Sequence, residues 1–300
     1  MTRSTPIILA GLSVLASLLA SPAAAQTPPA GLPNVIFYDD FTAPLTDNWT
    51  FDLGTSYPGA AANWGTGEIQ TYTDSPDNIA VVAGNLVITP LKDASGGWTS
   101  ARIESKVEHD WTCPEGGRLH AEAKLKLGAG PMAEQLGIWP AFWALGGDFR
   151  ATHQNWPTVG ELDILESPNG ELKTWSTIHC GVSPGGPCNE FDGVGGYQDG
   201  FTRGEFHVLS VDVNREGGTW ETDVISFALD GAETVAVTGA QVADQVAWEG
   251  MAHTSKFLLF DVAVGGSMPN NIAGTTTPNE ATIGGAGGAM EVEYVAVYSS

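Results

Sequence analysis

Along most of the chain apolar and polar residues alternate with a period of two, the pattern of strands that bury one face. Residues 118–127 show it most clearly: Leu119, Ala121, Ala123, Leu125 and Leu127 alternate with Arg118, His120, Glu122, Lys124 and Lys126. The same alternation predicts strands over 85–91, 98–105, 206–214, 222–230, 256–264 and 290–298, with turn signals such as Ala83-Gly84-Asn85 and Asp230-Gly231 separating several of them. Only 240–248 has helical spacing. Many strands without alternating helices specify an all-β sandwich of two antiparallel sheets rather than an α/β fold. Linker composition over 26–33 predicts a short tether, and the Gly/Thr-rich stretch 273–289 a long surface loop.

The first 25 residues stand apart. Arg3 precedes an apolar run over 7–20, and small residues ending in Ala23-Ala24-Ala25 follow it, the layout of a secretory signal peptide. The run is too short to span a bilayer as a helix, and no lipid-anchor tail closes the chain, so a freely secreted domain over 34–300 is expected. Charge supports export without changing the fold: 12 Lys+Arg against 35 Asp+Glu give −23, which repels nucleic acid and anionic membrane alike. In an oxidising compartment Cys180 and Cys188, separated by a turn-rich segment, are expected to form a local disulfide. Two thiols beside His179 make a poor metal set, and Cys113 is left as a buried thiol. Asn48-Trp49-Thr50 is a glycosylation sequon.

Chemistry concentrates in Val159-Gly160-Glu161-Leu162-Asp163-Ile164-Leu165-Glu166-Ser167. Glu161 and Asp163, two apart, share one face of a strand, with Leu162 and Ile164 on the other. Glu166 breaks the count and would point into the core, unless a one-residue β-bulge near Ile164 or Leu165 returns it to the Glu161 face. Two leaning glutamates on that face reach toward the ~5–5.5 Å spacing of retaining glycosidases. The plainer readings are a solvated acidic face or a calcium site in a lectin-like domain. Upstream, Trp139, Ala141 and Trp143 share a strand face, either as core or as flat indoles with room between them for a sugar ring.

These residues together resemble glycoside hydrolase family 16, whose bulged-strand members carry E-[ILV]-D-x-x-E shortly after a G-x-W-P-A-F-W segment, here Gly137 to Trp143. Further resembling blocks are Glu68 to Tyr72, Thr99 to Ile103, Thr177 to Gly181, Val262 to Ser267 and Val292 to Tyr298, and Gly185 to Glu190 looks most like secreted fungal members. The resemblance implies a β-jelly-roll sandwich with an open concave cleft and a retaining endo-hydrolase of β-linked polysaccharide. On it, Glu161 matches the nucleophile, Glu166 the general acid/base and Asp163 the residue that tunes the nucleophile. Arg102, Trp139, Trp143 and His179 match substrate-lining positions, with a structural ion pair for Arg102 and a structural histidine for His179 as the alternatives. The inserted Leu165 points to the laminarinase-like branch. With so few cations a neutral β-1,3 or mixed β-1,3/1,4-glucan is the expected partner, ahead of a β-1,3-galactan or a binding-only sandwich. A monomer is expected, with no cofactor for the chemistry. A structural calcium on the convex side would draw on Asp40 and Glu293.

Overall fold

Strands whose apolar residues all point one way need a second layer to cover that face, and this chain supplies it from its own sequence. In the computed structural model, which describes residues 27–300, the segments pair into two large antiparallel sheets. The expected signal peptide lies outside the described residues. One sheet of eight strands is centred on Arg118–Leu127, between His207–Asn214 and Met290–Ser299. The other has seven, in the order Val194–Asp199, Lys173–His179, Glu161–Glu166, Ile138–Gly146, Lys256–Val264, Arg102–Ser105 and Trp49–Phe51. Leu119, Ala121, Ala123 and Leu125 of the first sheet share one buried cluster with Phe142, Leu162, Ile178 and Phe260 of the second. The result is a β-jelly-roll sandwich. Among the described residues no helix is long and apolar enough to cross a membrane.

The alternation locates the central strands well and the irregular parts less well. Segment 118–127 is a strand along its whole length, as is 256–264. The 98–105 segment divides at Ala101, because Trp98–Ser100 joins a small three-stranded sheet while Arg102–Ser105 joins the seven-stranded one. Helical spacing over 240–248 becomes two short helices, Gly239–Val242 and Gln245–Ala252, divided where Ala243 takes a left-handed φ of 58° and Asp244 caps the second through Ala247 N–H. The expected tether is docked at one point, with Leu32 buried against Tyr294 and Tyr298. The 273–289 stretch is also held down: Thr282 is buried and donates to the Leu136 carbonyl (2.7 Å), and Ile283 N–H reaches Glu134 (3.0 Å). A Gly-rich strand, Val194–Asp199, and the helix Ser267–Ala273 carry too little periodicity to be foreseen.

Asn48 commits its amide internally, donating to Asp39 (3.0 Å) while its oxygen faces His109 Nε2 (3.1 Å). Cys113 is buried and its thiol is pushed up to about 12 by that burial, which leaves it inert. Cys180 and Cys188 form the expected disulfide. It closes a short loop, so Cys188→Ser is expected to lower the unfolding free energy by about 2.5 kcal/mol, mainly by freeing the unfolded chain. A denaturant titration reads this as a lower midpoint, and an unchanged midpoint would show the crosslink to be dispensable.

Candidate active site

Neighbouring strands in register line up side chains in rows across a sheet, and alternate rows face opposite ways. On the seven-stranded sheet one row runs Ile178, Leu162, Ala144, Leu258, and all four are buried in the core. The rows on either side face out. They are His179, Glu161, Leu145, Phe257, and then Thr177, Asp163, Trp143, Leu259, Glu104. Next on this face comes Trp175, Glu166, Ala141, Asp261, Arg102. That last row exists because of a bulge: Trp143 pairs with Asp163 while Phe142 pairs with Leu165, leaving Ile164 unpaired. The extra residue returns Glu166 to the face of Glu161 and Asp163. Ser176 donates to the Ile164 carbonyl (3.0 Å), meeting an acceptor that the interrupted ladder leaves open.

Over these rows lies a cleft of about 1080 Å³, lined by Glu161, Asp163, Glu166, Trp139, Trp143, Trp175, His179 and Arg102 among others. Every residue expected at the site is thus brought to one place, though not all with free donors. Trp139 donates its indole N–H to Glu166 (3.0 Å), and Trp143 donates to Asp261 (2.8 Å). Arg102 is 6% exposed, bonded through Nε to Asp52 at 3.0 Å and enclosed by the rings of Trp64 and Trp143 at 4.6 and 4.7 Å. Its geometry is that of a structural ion pair beneath the aromatic wall. His179 bridges two carboxylates: Nδ1 lies 2.7 Å from Glu190 and Nε2 3.2 Å from Asp163, the second an ion-pair contact outside good hydrogen-bond alignment.

Sequence reasoning passed over Glu190, Asp261, Trp156 and Trp175. Asp261 had a signal, as the one charge inside the apolar run 257–264. Glu190 had only its place just past Cys188, because the fold and not the spacing carries it to His179.

Burial sets the electrostatics. Desolvation, then the charge of Asp163, pushes Glu161 up to about 8, opposed by the His179 charge and the Trp156 indole. The same two causes push Glu166 well above the carboxylate range, against His179 and the Trp139 N–H. Burial alone would make His179 less basic, but its contacts with Asp163 and Glu190 outweigh that and hold it well above the usual imidazole range.

Glu161, Asp163 and His179 each place a ligand atom within 4.8 Å of the others, a geometry that suits a divalent cation. The proton balance of the ring works against one. A metal needs the Nε2 lone pair, whereas the two carboxylates that flank His179 favour its protonated ring. Of the two candidate ligands of the convex-side calcium, Glu293 is bound to the Lys124 ammonium at 2.8 Å and Asp40 accepts from Thr42 at 2.7 Å.

Glu161 holds its proton more tightly in the folded protein than its ordinary value of 4.5 allows. The stability this lends is therefore complete below pH 4.5 and is lost as pH rises toward about 8. Glu161→Gln, which cannot ionise, is expected to melt higher than the wild type near about pH 7.5 and level with it near about pH 4. Thermal unfolding at both values checks this, and a variant that melts lower near neutrality would contradict it.

A family model described as "XgeA-like, catalytic GH16 domain" matches residues 127–193, the stretch that holds the Trp139 and Glu161 strands and His179. The solved endo-1,3-beta-glucanase from Streptomyces sioyaensis is 42% identical with a TM-score of 0.85, the match covering 92% of this chain and 99% of that one. The endo-beta-1,3-glucanase from Pyrococcus furiosus is 28% identical with a TM-score of 0.66, over 88% and 94%. Glucan endo-1,3-beta-glucosidase A1 of Niallia circulans is 30% identical over 292 residues, which is 88% of this chain and 38% of that protein. The chain therefore spans little more than a third of that curated relative's length. With a 42% identical relative covered almost end to end, and the family model falling on the strands that build the cleft, this chain belongs to glycoside hydrolase family 16.

Proposed function

We propose that the chain is a secreted, monomeric endo-hydrolase of β-1,3 or mixed β-1,3/1,4-glucan that works by double displacement with retained configuration. The observation that carries this is the bulge, which gathers Glu161, Asp163 and Glu166 on one face at the floor of an open cleft. The names of the Streptomyces sioyaensis and Pyrococcus furiosus relatives support the β-1,3-glucan substrate. Export is supported by the 1–25 pattern and by the Cys180–Cys188 disulfide.

The family pattern divides the labour between two glutamates that each face Asp163, His179 and an indole N–H. Glu166, raised by burial and the charge of Asp163, keeps its proton and gives it to the glycosidic oxygen as the bond breaks. Glu161 faces the His179 charge and the Trp156 N–H, both of which favour its ionised form, and it attacks the anomeric carbon. In the second step Glu166, now a carboxylate, takes a proton from the water that displaces the sugar from Glu161. Asp163 lies between them and holds His179 near the nucleophile. Trp143 is half-buried and offers its ring face to a sugar, while Trp139 both lines the cleft and orients the acid. Arg102 fixes Trp64 and Trp143 from below.

Glu161→Gln and Glu166→Gln are each expected to lower kcat on laminarin by about 10³ or more with the fold intact, since nucleophile and proton donor act as one unit. Proton NMR of the first product should show retained configuration. An inverted product would remove Glu161 from the nucleophile's role.

Reducing-sugar release from laminarin, barley β-glucan, lichenan, β-1,3-galactan and agarose is expected from the glucans alone. Release confined to the galactan would move the enzyme to that substrate. Binding without release would make it a carbohydrate-binding sandwich.

A further inference from the structure

Glu190 does not line the cleft, yet it is bonded to a residue that does. Its side chain is fully enclosed, with an exposure of 0%. One carboxylate oxygen accepts the Cys180 backbone N–H at 2.8 Å and the other faces His179 Nδ1 at 2.7 Å. His179 Nε2 in turn lies 3.2 Å from Asp163. A neutral imidazole has one N–H and can serve only one of these carboxylates, so an imidazolium is the state that serves both. Among the described residues His179 is the one ion-pair partner that Glu190 has. The disulfide at Cys188 anchors the segment two residues before Glu190. The ring is closed in on its remaining sides by Trp156, with centroids 5.6 Å apart, and by the Gly193 backbone, where any added Cβ would come within 2.8 Å of Cε1.

We propose that Glu190 is a positioning residue for the nucleophile, which through His179 keeps a positive charge beside Asp163 and Glu161. This rests on the assignment of Glu161 as nucleophile. The charged groups around His179 are Glu161, Asp163 and Glu166 from one strand and Glu190 from the disulfide-anchored loop. Three of the four are needed for the proposed chemistry, and Glu190 is the one that is not. Without its charge the ring gives up a proton at lower pH, and the cation that favours ionised Glu161 disappears over the working range. The acid limb of kcat/KM then moves to higher pH. Substrate contacts stay as they were.

The test compares the wild type with Glu190→Gln, which keeps the shape and the acceptor for Cys180 N–H, and with Glu190→Asp, which keeps the charge. Laminarin kinetics are taken across pH, and His179 is titrated by imidazole nitrogen NMR without substrate. In Glu190→Gln kcat is expected to fall by about tenfold or more, with KM within about twofold and the acid limb raised. Glu190→Asp is expected to restore part of the profile. Wild-type His179 should carry both protons through neutral pH and the Gln variant should lose one earlier. A folded Glu190→Gln with the wild-type profile would overturn the proposal. So would variants that lose activity and stability together with an unshifted acid limb. If Glu190→Gln does not fold, the wild-type titration decides alone, since a neutral His179 at pH 7 rules the proposal out. A wild type inactive on every glucan would defeat the proposed function, while the titration would still judge the Glu190–His179 link.

Discussion

Negative charge gathered in a poorly hydrated groove must be answered locally, and on the concave face it is answered with very few cations. Asp52, Glu68, Glu104, Asp163, Glu190 and Asp261 are all buried in or beneath this face. Arg102, Arg150 and His179 are the groups that meet them, each shared between acids or between an acid and aromatic rings. Where no cation is available a neutral donor takes its place. Tyr72 Oη lies 3.0 Å from both Glu68 and Asp261, and its single proton can serve only one of them at a time. Burial, with the nearby charge of Glu68 and against that of Arg102, raises Asp261 to about 6, as expected of a carboxyl that is answered only in part.

This scarcity ties the aromatic wall to the acids. Trp143 covers Arg102 with its ring and donates to Asp261 with its N–H, so one side chain serves the substrate face, the ion pair and the buried carboxylate. Trp139 lines the cleft and donates to Glu166 with its N–H. An indole is suited to this, having an apolar face for a sugar and one donor at its edge. The two tryptophans need not be either core or ligand platform, since the register of their strand makes them both.

How much of this could be read from the chain depends on whether the cause was local. Residues 118–127 and the acidic motif carry their faces in their own alternation, and the bulge was legible because Glu166 would otherwise have pointed a charge into the core. The break at Ala243 was not, because a left-handed alanine leaves no mark in the helical period. Arg102 could be placed at the cleft but not paired, since Asp52 reaches it only through the strand Trp49–Phe51 beside it. Glu190 was beyond reach for the same reason: its partner is set by a cross-strand neighbour and a disulfide turn.

The strand order also fixes when the cleft can come into being during synthesis. Lys256–Val264 lies between Ile138–Gly146 and Arg102–Ser105, and Met290–Ser299 lies between Arg118–Leu127 and Asn85–Ile88. Each sheet thus leaves a gap at its middle that only a late segment fills. A nascent chain halted short of residue 264 holds the three acids but lacks the strand that joins them to Arg102. Such long-range pairing delays folding until nearly the whole polypeptide has been made. A hydrolase assembled this way lacks its complete cleft until those late strands arrive.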